Sequence, residues 1–175
     1  EATGTASFRG VQSQVGELIG MSNLVWALTT ALALDPEAGV GDSVVPKLQT
    51  AAAARMYMTS AWSRVREIFE TILAGAPIVT VSSNKDLQVP ELSPVIERYF
   101  RGTGLPAMER IKLFKLIWDA LYSEFAGRHA LYERNYAGNA EQQRLDILRW
   151  SNARGDSDRY KAAVDACMAD YDVEG

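Results

Sequence analysis

Apolar residues recur along this chain with a period of about 3.6 residues, which is the period of an α-helix. The pattern is clearest between Ser7 and Leu34, where the apolar positions are Val11, Val15, Leu18, Ile19, Val25, Trp26 and Leu32. The same period predicts helices over about 45–74, 90–99, 106–125, 139–152 and 156–171. Residues 78–81 favour a strand but have no second strand to pair with, so we expect an ordered loop there. The sequence predicts an all-α fold, with one helical bundle over residues 1–175.

The helix predicted over 106–125 is apolar on two faces. One face carries Ile111, Phe114, Trp118, Leu121 and Phe125, and the other carries Leu113, Leu116, Ile117 and Ala120. A helix that is apolar nearly all round is expected to be buried at the centre of a fold.

Composition excludes several classes of function. The net charge is −4 without a basic block, so nucleic acid is not an expected partner. A single cysteine, Cys167, and a single histidine, His129, predict neither a disulfide framework nor a metal site. We expect Cys167 to be a buried structural thiol and the protein to be cytoplasmic. No apolar run approaches the roughly 20 residues that span a bilayer, so no membrane partner is expected.

No catalytic constellation stands out in the sequence. The chain has no Gly-x-Ser-x-Gly, no phosphate-binding loop followed by Lys-Ser or Lys-Thr, and no His-Glu-x-x-His. Glu124 lies near the end of the most apolar helix, but an ion pair with Arg128, four residues later, is favoured over a role as a catalytic acid.

Two helix starts have residues that suit an anion, because backbone N–H groups and the helix dipole favour negative charge there. The first carries Arg9, Gln12 and Gln14, and the second is formed by Gly138, Asn139, Ala140 and Glu141. Ordinary helix capping explains either start more simply, and Asn139 with Gln142 fits a capping box. The run 128–136 is rich in Arg, Tyr and other polar residues, which is typical of both an interface and the wall of a site.

Several separate motifs follow one another along the chain. They are Thr3-Gly4, Phe8-Arg9-Gly10-Val11-Gln12, Ser82-Ser83-x-x-Asp86, Tyr99-x-Arg101-Gly102, residues 109–120, Ser123-Glu124-Phe125-Ala126-Gly127-Arg128-His129, Leu131-Tyr132-Glu133-Arg134-Asn135-Tyr136-Ala137-Gly138, Val164-Asp165-x-Cys167 and Asp170-Tyr171-Asp172. Together they resemble the oxygenase component of 4-hydroxyphenylacetate 3-monooxygenase, a family of two-component phenol hydroxylases. Ala126 stands where the family pattern has glycine.

The resemblance implies a fold similar to that of acyl-CoA dehydrogenases, with a helical domain, a β-barrel and a C-terminal helical bundle. This chain would be the bundle alone, so the first two domains would be a partner in the same protein. The implied enzyme is an FAD-dependent aromatic monooxygenase. It takes reduced FAD from a separate flavin reductase and places one oxygen atom of dioxygen ortho to a phenolic hydroxyl.

The resemblance also implies roles for particular residues. The family's contacts with the phenol and with oxygen lie mainly in the first two domains, so no catalytic residue is assigned here. FAD contacts are implied for Gly138, Asn139, Ala140 and Glu141, and also for Arg9, Gln12, Gln14, Ser82 and Ser83. A homo-oligomer is implied, either a dimer or a dimer of dimers. The substrate would be a free or carrier-protein-tethered phenol, and the sequence does not choose between them.

Two other functions stay open from the sequence. One is a fragment of a flavoprotein similar to 4-hydroxybutyryl-CoA dehydratase, although its iron–sulfur cluster needs several cysteines and this chain has only Cys167. The other is a helical interaction module without catalytic activity.

Overall fold

The computed structural model describes residues 2–136 and 138–171, so Ala137 and Asp172 of the motifs above lie outside the described residues. Helix-forming runs separated by Pro, Gly and short polar stretches give a mainly helical chain. The described elements are α1 (Arg9–Leu34), β1 (Pro36–Ala38), β2 (Val44–Pro46), α2 (Leu48–Leu73), a 3₁₀ helix (Asn84–Gln88), α3 (Ser93–Phe100), α4 (Ala107–Leu121), α5 (Glu124–Asn135), α6 (Ala140–Ala153) and α7 (Asp156–Met168). The prediction of a helical fold is confirmed.

A small antiparallel hairpin, formed by β1 and β2, was not predicted. Pro36 pairs with Pro46, and Gly41 turns the chain with a φ of 64°. An ion pair of 2.6 Å between Lys47 Nζ and Asp35 Oδ2 closes the base of the hairpin. The expectation of an all-helical chain without a sheet is therefore wrong in this segment. Pro36 and the glycines end α1, and they also shape a turn between two strands.

The predicted helix 106–125 is divided into α4 and α5. Ser123 causes the break, because its hydroxyl accepts a hydrogen bond of 3.1 Å from the Ala126 amide and so acts as a cap for α5. The same hydroxyl donates to the Asp119 carbonyl at 2.7 Å, which ties the cap to the end of α4.

The chain forms two compact units, and the first contains the chain up to Trp26 together with Thr59–Arg134. Its core lies where α3 packs against α4. The buried residues of this core are Val81, Ile96, Ala107 and Ile111, with Leu87 and Phe100 packed against them. Phe114, also on α4, is 1% exposed. These side chains form the apolar face that anchors α4 in the first unit.

The second apolar face of α4 is largely exposed, with only Ile117 half-buried among its described residues. On that face Leu113 is 37% exposed and Leu116 is 66% exposed. On the first face Trp118 is 43% exposed, and Phe125, in the first turn of α5, is 76% exposed. The prediction that this helix is buried nearly all round is therefore wrong for this chain. Apolar periodicity indicates which faces avoid water, but it does not indicate which molecule covers them.

Helix α1 has no buried residue. It has 26 residues and a mean hydropathy of 1.4 over an 18-residue window, so by length and composition alone it could cross a membrane. The expectation that no segment of this kind exists is wrong. Its Glu17 carboxylate binds Arg64 of α2 through two hydrogen bonds, of 2.7 Å from Nε and 2.9 Å from Nη2. Arg64 holds the pKa of Glu17 below its usual value.

The second unit contains Ala27–Met58 and the chain from Asn135 onward, and within it α6 packs against α7. Cys167 of α7 is exposed, so the prediction that it is a buried thiol is wrong. Where α6 meets α7, the Asp156 carboxylate accepts hydrogen bonds of 2.7 Å from Arg154 Nη2 and 3.2 Å from Ser151 Oγ. Arg154 is the main cause of a lowered Asp156 pKa, and Arg159 lowers it further.

We predict that Asp156→Asn destabilises the second unit in a pH-dependent way. The folded-state pKa of Asp156 lies below the ordinary value of 3.8, so its stabilisation is present above that pH and is lost as pH falls through the folded-state pKa. The difference in Tm between wild type and Asp156→Asn should be constant near neutral pH and shrink below about pH 4. Asp158→Asn is the matched control, because Asp158 lies in the same first turn and has no ion pair with a described residue. Equal effects of the two substitutions would contradict this prediction.

Candidate cofactor-contact site at the start of α6

The turn between α5 and α6 depends on Gly138. Its φ of 97° is a conformation that residues with a side chain rarely adopt. Its amide donates a hydrogen bond of 3.2 Å to the Asn135 carbonyl. Gly138 therefore redirects the chain from the end of α5 into the first turn of α6.

Asn139 is the N-cap of α6, as the sequence predicts. Its side-chain oxygen accepts a hydrogen bond of 2.8 Å from the Gln142 amide. The second hydrogen bond of the predicted capping box, from the Asn139 amide to the Gln142 side chain, is not among those described. The Gln142 side chain instead donates to Asp146 Oδ1 at 3.0 Å. Capping thus explains the identity of Asn139 without a ligand.

The Gly138 carbonyl accepts hydrogen bonds from two side chains. Arg55 Nη2 lies 3.2 Å from this oxygen, and Gln143 Nε2 lies 3.4 Å from it. The Arg55 guanidinium also lies over the Tyr136 ring, 4.8 Å from its centroid. Gln143 is 8% exposed, so its donor is directed at the carbonyl from inside the second unit. The sequence did not indicate Arg55, because Arg55 and Gly138 are 83 residues apart.

Two donors and one acceptor at the start of α6 have no hydrogen-bond partner among the described residues. The amides of Ala140 and Glu141 donate no hydrogen bond to any residue in the described part of the chain, as is usual for the first turn of a helix. The exposed Glu141 carboxylate stands beside them as an acceptor. A negative side chain already occupies the positive end of the helix dipole, so a second full anion is disfavoured. A ligand with hydroxyl groups, such as a sugar or a ribityl chain, fits this pattern better than a pyrophosphate.

The other residues that the resemblance implied lie in the first unit. Arg9, Gln12 and Gln14 lie in the first two turns of α1, where Arg9 and Gln12 are exposed and Gln14 is half-buried. Ser83 caps the 3₁₀ helix: its hydroxyl accepts from the Lys85 amide at 3.2 Å, and its amide donates to Asp86 Oδ2 at 3.2 Å. Ser82 is exposed. No described hydrogen bond joins the Arg9 stretch to the serines.

A groove of about 400 Å³ separates parts of α2 and α5 in the first unit. It is lined by Trp62, Ser63, Arg66, Glu67, Glu70, Gly127, Ala130, Leu131 and Arg134. Arg134 donates a hydrogen bond of 3.1 Å to Ser63 Oγ across it. The polar run 128–136 therefore contributes to the wall of a groove. The predicted ion pair between Arg128 and Glu124 is confirmed on the exposed side of α5.

No group of His, Cys, Asp and Glu residues that could hold a metal ion occurs among residues 2–136 and 138–171.

Comparison with known proteins gives relatives over the whole chain. The pyoverdin chromophore biosynthetic protein PvcC of Pseudomonas aeruginosa is 52% identical over 174 residues, which are 99% of this chain and 35% of that protein. The (3S)-3-amino-3-(3-chloro-4-hydroxyphenyl)propanoyl-[peptidyl-carrier protein SgcC2] monooxygenase of Streptomyces globisporus is 41% identical over 100% of this chain and 33% of its own length. The chain thus spans about a third of the length of these relatives.

Solved structures agree with these relatives. The oxygenase component (HpaB) of 4-hydroxyphenylacetate 3-monooxygenase, complexed with FAD and 4-hydroxyphenylacetate, has a TM-score of 0.85 and 28% identity, covering 96% of this chain and 35% of that one. An archaeal 4-hydroxybutyryl-CoA dehydratase from N. maritimus has a TM-score of 0.81 but only 19% identity, so this likeness is one of fold. The predicted fold, a helical bundle of the acyl-CoA dehydrogenase type, is confirmed.

A family model decides between the two flavoprotein families. The model described as the C-terminal part of 4-hydroxyphenylacetate 3-hydroxylase, HpaB, matches residues 1–165. The resemblance inferred from the motifs is confirmed over nearly the whole chain, and the chain belongs to the HpaB C-terminal family.

Proposed function

We propose that this chain is the C-terminal helical part of an oxygenase that hydroxylates a phenol ortho to its hydroxyl group. The observation that carries the proposal is the family match over residues 1–165, joined by a TM-score of 0.85 to an oxygenase component complexed with FAD. The helical domain and β-barrel domain implied by the resemblance would precede it in the same protein. They would supply the contacts with the phenol and with oxygen.

Reduced FAD would come from a separate flavin reductase and, when bound, would supply the electrons that activate dioxygen. The residues of this chain would bind and orient the cofactor and help to exclude water from it. The phenol is either free or tethered to a carrier protein. Support for tethering comes from the Streptomyces globisporus relative, whose name specifies a peptidyl-carrier-linked substrate.

The start of α6 is the part of this chain that we propose to contact FAD. Gly138 leaves room there, because an added Cβ would have nothing closer than Gln142 Cβ and Cγ, both at 3.9 Å. The amides of Ala140 and Glu141 can donate, and the Glu141 carboxylate can accept from ribose or ribityl hydroxyls. Asn139 fixes the helix start. We also propose contacts by Arg9, Gln12, Gln14 and Ser82, without assigning the FAD group that each would touch. The Ser83 hydroxyl already accepts a hydrogen bond as a cap.

We also propose that this chain helps to assemble a homo-oligomer, a dimer or a dimer of dimers. Apolar side chains of α1 support this role, since Val15, Ile19, Leu24 and Trp26 are between 42% and 70% exposed. An apolar surface of this kind is usually covered by another protein surface. In such an assembly the start of α6 can serve the FAD of its own subunit or that of a neighbour.

The hydroxylase proposal predicts a catechol product that depends on the reductase. The full-length protein that contains this chain would be incubated with FAD, NADH, a flavin reductase and dioxygen. Free phenolic acids, halogenated phenols and a carrier-tethered tyrosine-like substrate would be tested, and products would be identified by mass spectrometry. We expect ortho-hydroxylation of at least one phenol, and none when the reductase is omitted. No oxygenated product from any of the three classes would contradict the proposal.

The proposed FAD contact predicts that Glu141→Ala weakens binding of FAD by about tenfold, the typical cost of losing a hydrogen bond to a charged acceptor. Fluorescence titration of the full-length protein with reduced and oxidised FAD would measure the Kd. Asp158→Ala is the matched control, because Asp158 is also an acidic residue in the first turn of a helix of the second unit. A Glu141→Ala protein that binds FAD as tightly as Asp158→Ala would refute the contact.

A further inference from the structure

We propose that Arg55 is a positioning residue for the cofactor, because its guanidinium holds the Gly138 turn in the conformation that opens the start of α6 to a ligand. Arg55 lies on α2 and acts on a turn 83 residues later in the chain. The inference rests on the proposed FAD contact at α6 and adds a residue that touches the turn but not the ligand.

The contact uses two different properties of one side chain. The edge of the guanidinium donates to the Gly138 carbonyl at 3.2 Å, and its face lies 4.8 Å from the centroid of the Tyr136 ring. Arginine can make both contacts together because its charged group is planar, whereas the ammonium of lysine is a compact point charge. Arg55 therefore fixes the turn at two positions, one on each side of residue 137.

Gln143, on α6, also holds the Gly138 turn. Gln143 Nε2 reaches the same carbonyl at 3.4 Å, so that oxygen accepts from two donors. The Gly138 amide is engaged with the Asn135 carbonyl at 3.2 Å. With both polar groups of Gly138 engaged, these hydrogen bonds favour the observed φ of 97°.

This arrangement separates the groups that hold the turn from the groups that can bind. Arg55 and Gln143 act on Gly138, while the Ala140 and Glu141 amides and the exposed Glu141 carboxylate make no hydrogen bond with a described residue. A site fixed before the ligand arrives loses less entropy when it binds. Arg55 should therefore matter for the affinity of FAD even though the bound cofactor would contact α6 and not Arg55.

The test compares three variants of the full-length protein: Arg55→Met, Arg55→Lys and the control Arg149→Met. Arg149 lies on α6, and its guanidinium pairs with Asp146 on the exposed surface. The measurements are the Kd for FAD, the Tm without FAD, and hydrogen exchange of the amides of residues 138–143 with and without FAD. We expect Arg55→Met to weaken FAD binding about tenfold and Arg55→Lys to recover only part of that loss. Arg149→Met should bind FAD as wild type does.

A double variant separates a positioning role from a merely structural one. If Arg55 acts through the start of α6, the losses of FAD affinity caused by Arg55→Met and by Glu141→Ala should not be additive. The double variant should then bind FAD little worse than whichever single variant binds it more weakly. Additive losses would overturn the proposal, as would a lower Tm of Arg55→Met with an unchanged Kd.

Hydrogen exchange in the wild-type protein distinguishes failure of the role proposed for Arg55 from failure of the proposed FAD contact. If FAD does not slow exchange of residues 138–143 in wild type, the contact at α6 is refuted and the role of Arg55 with it. If FAD slows exchange in wild type and Arg55→Met binds FAD normally, only the role of Arg55 is overturned.

Discussion

The hydrophobic effect requires each amphipathic helix to cover its apolar face, and the helices of this chain carry apolar side chains that the described residues leave exposed. Helix α1 buries no residue, and α4 buries Ile111 and Phe114 on one side while Leu113 and Leu116 on the other side stay exposed. On α7, Tyr160, Val164 and Met168 are exposed as well. The family comparisons give a physical context for this, because the relatives are about three times as long. We propose that the preceding domains and neighbouring subunits cover these faces.

At the start of α6 it is polar groups, not apolar ones, that lack a partner among the described residues. The Gly138 turn satisfies its own amide and carbonyl through Asn135, Arg55 and Gln143, and the first turn of α6 keeps two amides accessible beside the Glu141 carboxylate. The turn is thus held by the second unit itself, and what it offers to a ligand is a small set of donors with one acceptor. This chemistry suits the hydroxyl-bearing parts of FAD and makes the pyrophosphate the less suitable neighbour.

Sequence periodicity predicted the helices well because their boundaries depend on nearby residues. The end of α1 at Leu34 and the Asn139 cap of α6 follow from local signals that were recognised in advance. Local signals with two meanings were misjudged: Pro36 and Gly41 stop a helix and also shape a hairpin, and Ser123 both interrupts one helix and caps the next. The exposure of Cys167 could not be predicted, since it depends on what packs against α7.

The candidate site was predictable only in part for the same reason. The residues of the α6 start came from helix-start chemistry and from the family motif, and both depend on neighbours in the sequence. Arg55 was not predicted, because nothing near it in the sequence relates it to Gly138. Contacts of this kind arise from the fold, and a single sequence carries no sign of them.

The most direct test of this account is a structure of the full-length protein with FAD bound, determined by crystallography or electron cryo-microscopy. We expect a ribose or ribityl hydroxyl of FAD within hydrogen-bonding distance of the Glu141 carboxylate, with Gly138 in the same left-handed conformation and Arg55 on its carbonyl. An FAD molecule that has no atom near residues 138–141 of any subunit would contradict the account.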